Sequence, residues 1–106
     1  MTLEQTLQDE IEGSKNSLER SIDSTIYRRD LAKRIELVSW VAESMKNPEN
    51  QVCNLIESRM NEVTMKIKQT STIFEADKLY SELNILEWIY YVVCKAESER
   101  LSDLIQ

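Results

Sequence analysis

Residues 86–94 read LEWIYYVVC, nine positions with a single charged side chain, Glu87. Their Ile, Val, Tyr and Trp content suits a β-strand by propensity. The flanking sequence argues otherwise: Leu79, Leu83, Leu86, Tyr90 and Val93 form an unbroken row at helical spacing through the stretch, and no turn residues bound it. The spacing predicts a last helix from about residue 73 to about 103.

On that helix Leu79, Leu83, Leu86, Tyr90 and Val93 share one face, while Ile85, Trp88, Val92 and Ala96 share a second. Asp77, Asn84, Glu87, Tyr91 and Lys95 form the third, polar face, so Glu87 falls on the water side. An apolar arc this wide belongs to a helix contacted on two sides within a bundle. Helices over 27–46 and 48–69 are expected to cover one side. The other is left to residues 3–22 or to a second molecule.

The rest of the chain agrees with a helical reading. Gly13 and Pro48 are its only glycine and proline, so hairpin turns, β-bulges and phosphate-cradling loops have almost no residues from which to be built. The 106 residues suit one domain able to bury a core. Charged residues make up 30% and the net charge is −6, values of a folded chain rather than a disordered one.

Leu3, Leu7, Ile11, Leu18 and Ile22 make a narrow stripe in the first third, a seam suited to a partner helix. Tyr27, Leu31, Ile35, Val38, Ala42 and Met45 then continue on a different azimuth, the change falling at Asp23-Ser24-Thr25. A single long kinked helix over about 3–46 is the expectation, with 1–22 as an arm that either protrudes to a partner or folds back. Such a helix would be about 65 Å long, against about 33 Å for the next. Its overhang would expose the seam.

Asn47-Pro48 punctuates the sequence, Asn as a cap and Pro in the first turn of a helix over 48–69 carrying Val52, Leu55, Ile56, Met60, Val63 and Ile67. Thr72 and Glu75 have capping-box spacing at the next boundary.

Chemistry is scarce. With no histidine, and with Cys53 and Cys94 lacking an evident activating base, nucleophilic and acid–base catalysis have few carriers, and zinc has too few ligands. The two cysteines are expected as reduced, buried thiols, a disulfide being the alternative. Asp9 and Glu12 have the spacing of an Mg²⁺-binding pair in helical nucleotide pyrophosphatases, but no second pair follows, and a solvated acidic face is the better reading. No catalytic, cofactor or metal residues are therefore assigned.

One patch departs from the acidic background. YRRDLAKR, residues 27–34, sets Arg28, Arg29, Lys33 and Arg34 against Asp30, with Tyr27 beside them. It suits an anion such as a nucleic-acid backbone or a nucleotide, or else a face neutralised by the chain's own carboxylates. The second fits an acidic chain better. Five of the seven aromatics fall in the last helix, Phe74 and Tyr90 at expected core positions, Trp88 and Tyr91 at the edge of the apolar face.

The sequence thus predicts an all-α antiparallel bundle of three or four helices, one domain over 1–106, self-associated as a dimer. It reads as an adaptor, regulator or inhibitor acting by protein–protein contact, of a kind common among phage and mobile-element products. Leu7, Ile11, Leu18, Ile22, Trp88 and Tyr91 are the expected interface. The runner-up is an anion-binding module built on 27–34, and a Mg²⁺-dependent phosphohydrolase is the remote third. No membrane span and no basic-then-apolar leader are evident, and the cytoplasm is the expected location.

Overall fold

A computed structural model describes residues 2–20 and 25–95. They form four helices, α1 (Leu3–Arg20), α2 (Thr25–Ser44), α3 (Val52–Gln69) and α4 (Ile73–Cys94), and no strand occurs among the described residues. The chain divides into two compact units, residues 1–50 and 51–106.

In the first unit α1 packs along α2. Arg34 Nη1 donates to Glu10 Oε1 at 2.8 Å, and Arg28 Nη1 to the Leu18 carbonyl at 2.7 Å. Thr2, Gln5 and Leu7 line one hollow with Ala42 and Met45. The two helices are therefore antiparallel. This corrects the single kinked helix over 3–46, in which Glu10 and Arg34 would be separated by roughly 36 Å of helix. The expected point of change, Asp23-Ser24, lies outside the described residues. The physical reason for the reversal is burial: doubled back, Leu7 and Ile11 share a core with Leu31, Leu37, Val38 and Val41, all buried. Ser14 takes the next position in the α1 row and is also buried. Thr2 caps α1, its Oγ1 accepting from the Gln5 amide at 3.1 Å.

The α2 C-terminus closes through short i→i+3 bonds and the side chain of Asn50, whose Nδ2 donates to the Ser44 carbonyl at 2.9 Å. The Asn50 amide donates to the Asn47 carbonyl at 3.0 Å, which closes a turn with Pro48 second of its four residues. That position favours proline because its fixed φ is already correct. Pro48 thus belongs to a turn, and the expected helix start at 48 moves to Val52.

The second unit is a hairpin of α3 and α4. Ile56, Met60, Val63 and Ile67 form the buried row of α3. From α4, Leu83 and Leu86 of one predicted row, Ile85 of the other and Ile89 between them are all buried, while Leu79, Trp88, Tyr90, Val92 and Val93 of those rows are half-buried. Thr72 caps α4 as expected, Oγ1 accepting from the Glu75 amide at 3.2 Å. At the other end Lys95 adopts a left-handed conformation, φ 56°, and its amide donates to the Tyr91 carbonyl. This cap ends α4 at Cys94, short of the expected 103, and residues 96–106 lie outside the described part.

Side-chain links join α3 to α4 in antiparallel register. Arg59 donates through Nε and Nη2 to Glu82 Oε1 at 3.2 and 3.0 Å, and the Tyr90 phenol donates to Glu57 Oε1 at 2.7 Å. Cys53 and Cys94 form a disulfide. The last overturns the expectation of two reduced thiols. Separation in sequence hid the pairing, because the antiparallel hairpin brings the second residue of α3 beside the last of α4, with Cα atoms 5.9 Å apart.

Candidate interaction surfaces

The six residues expected at an interface take different positions. Leu7 and Ile11 are buried, 1% and 6% exposed, so the α1 seam is consumed within the chain. Leu18 is half-buried and Ile22 lies outside the described residues. On α4, Trp88 is half-buried and Tyr91 is 58% exposed. Of the five that lie among the described residues, only Tyr91 presents a mostly open side chain.

Tyr91 has company that periodicity alone did not suggest. Ile73, at the first position of α4, is 91% exposed, and Phe74 is 64% exposed with Lys78 Nζ 5.3 Å from its ring centroid. Phe74 was expected in the core. It misses because the Leu79–Leu83–Leu86 row, traced back one turn, reaches Glu75 and Ala76 rather than Phe74. Ile73 and Tyr91 are about five turns apart, which returns them to the same azimuth of α4. The outer face of this helix runs from Ile73 through Asp77, Tyr80, Asn84 and Glu87 to Tyr91, polar in the middle and apolar at both ends.

The basic patch lies on the first turns of α2. Tyr27 is 48% exposed and Arg28 is exposed. Arg29 Nη2 meets Asp30 at 2.9 Å, Lys33 Nζ meets Glu36 at 2.6 Å, and Arg34 meets Glu10 at 2.8 Å. With Arg28 on the Leu18 carbonyl, every cation of the patch has a partner in its own chain. Glu10 and Glu36, read from sequence only as part of a general acidity, supply two of them. A shallow hollow beside the patch is lined by Gly13, Ser14, Ser17, Tyr27, Leu31 and Arg34.

Asp9 and Glu12 are exposed, each taking a side-chain amide from a glutamine one turn earlier, Gln5 at 2.7 Å and Gln8 at 3.3 Å. Among the described residues no three His, Cys, Asp or Glu side chains converge as a metal-binding group, and no helix is long and apolar enough to cross a membrane.

No protein-family model, no curated protein and no solved structure matches this chain.

Proposed function

We propose that this protein acts by binding other protein surfaces, as a small all-helical adaptor, regulator or inhibitor, and that the outer face of α4 around Tyr91 and Trp88 is its docking surface. The observation that carries this reading is Tyr91 itself, a large aromatic 58% exposed on the outer face of α4, with Ile73 on the same azimuth. Tyr and Trp anchors of this kind bury much apolar area while keeping a polar end, and they dominate binding energy at protein interfaces. The proposal includes self-association, a second copy being the simplest complementary surface for a helix of mixed character.

The anion-binding alternative finds less support. Three of its four cations are paired with carboxylates and the fourth with a backbone carbonyl, so an incoming phosphate would have to displace partners already in place. The disulfide weighs against the cytoplasmic setting expected from the sequence, since cytosolic thiols are held reduced.

Salt separates the two readings. Association through Tyr91 and Trp88 should change less than about threefold between 50 and 500 mM NaCl, be unaffected by Arg29→Glu and be weakened by Tyr91→Glu. Binding of a short oligonucleotide that falls more than tenfold over the same range and is lost in Arg29→Glu would favour the patch instead.

A further inference from the structure

We infer that the Cys53–Cys94 disulfide is a redox-responsive lock on the open end of the α3–α4 hairpin, which a dithiol can open while the hairpin stays folded. The bond links the second residue of α3 to the last residue of α4, at the opposite end from the turn that joins them. Both cysteines are half-buried, whereas the neighbouring core residues Ile56 and Ile89 are fully covered. The bond thus lies at the margin of that core rather than within it, where a thiolate attacks more readily than in a fully buried site.

The two helix ends that the bond joins are weakly capped. Gln51, the N-cap of α3, makes no side-chain bond to the helix backbone. The α4 terminus is closed by a left-handed lysine rather than a glycine. One turn inward, the Tyr90 phenol donates to Glu57 across the hairpin. Inward of the bond the hairpin is held without it: Ile56, Met60, Val63, Leu83, Leu86 and Ile89 are each 1% exposed or less, and Arg59 grips Glu82. Opening the bond removes the covalent tie between these two weakly capped ends and leaves that core in place. The last turn of α4, residues Tyr91–Lys95, is then the part set free, and it carries the exposed tyrosine.

In the opening step one thiolate of the dithiol attacks a cystine sulfur, forming a mixed disulfide and expelling the other cysteine as a thiolate. The second thiol of the reagent then attacks the reagent's own sulfur in that mixed disulfide and expels the remaining cysteine, leaving Cys53 and Cys94 as thiols and the reagent as its own disulfide. Two electrons and two protons pass to the protein, and reoxidation reverses the change.

The test is hydrogen exchange on the full chain, oxidised and then reduced with dithiothreitol, with thiols counted in denaturant at each stage. The lock predicts no free thiols before reduction and two after. Exchange over Tyr91–Lys95 should then quicken at least tenfold, exchange over 60–67 and 79–87 should change less than twofold, and reoxidation should restore the first state. Cys53→Ser should reproduce the reduced pattern without reagent. Two free thiols in the air-equilibrated protein would overturn the proposal, as would unchanged exchange at 91–95. Equal acceleration throughout α3 and α4 would also overturn it, because the bond would then be a requirement of the fold rather than a lock.

Discussion

The Tyr90 phenol reaches across from α4 to Glu57 of α3 and donates to its Oε1 at 2.7 Å, which sets the register of the hairpin near its disulfide end. A hydrogen bond to a carboxylate in a half-buried site contributes roughly 1–2 kcal/mol. Tyr90→Phe should lower the stability of the oxidised protein by about that much in urea titration, with the m-value unchanged.

Arg59 and Glu82 predict an asymmetry. The Glu82 side chain is 12% exposed and that of Arg59 is 35% exposed, so deleting the arginine leaves the more buried charge alone. Arg59→Met should destabilise by roughly 1–3 kcal/mol and Glu82→Gln by less, the exposed guanidinium being easily hydrated. The two denaturant midpoints provide the check.

Glycine stands where the fold has no need of it and is missing where the backbone would use it. Gly13 lies inside α1 with open space where a Cβ would sit, so Gly13→Ala should stabilise by about 0.5–1 kcal/mol. Lys95 holds a left-handed conformation at the end of α4, so Lys95→Gly should stabilise by up to about 1 kcal/mol. Thermal melts would show both as upward shifts.

Thr72 caps α4 through the Glu75 amide. Thr72→Ala should cost about 1 kcal/mol, and Thr72→Ser should restore most of it. Comparing the two melts isolates the hydroxyl from the side-chain volume.

Periodicity made the helices legible because each buried row is a local property of the sequence. Ile56–Met60–Val63–Ile67 and Leu83–Leu86 recur at turn spacing, and Thr72 sits three residues before Glu75, so α3 and α4 could be read directly. What stayed hidden depends on residues distant in sequence. The reversal between α1 and α2 has no Gly or Pro to announce it, only the mutual burial of Leu7 and Ile11 with Val38 and Val41. The pairing of Arg34 with Glu10 follows from that reversal and the disulfide from the separate doubling back of α4 on α3, and no short motif encodes either. Phe74 was misplaced for a simpler reason: its aromatic character suggested burial, while its azimuth pointed outward.

The proposal that α4 docks onto protein surfaces, its own copies included, is tested most directly by absolute mass from light scattering behind a sizing column. Wild type and Tyr91→Glu would be compared at several concentrations, with circular dichroism confirming equal helix content. The account predicts a wild-type dimer and a folded Tyr91→Glu monomer. A wild type that remains monomeric at every concentration, or a dimer whose mass the substitution leaves unchanged, would contradict it.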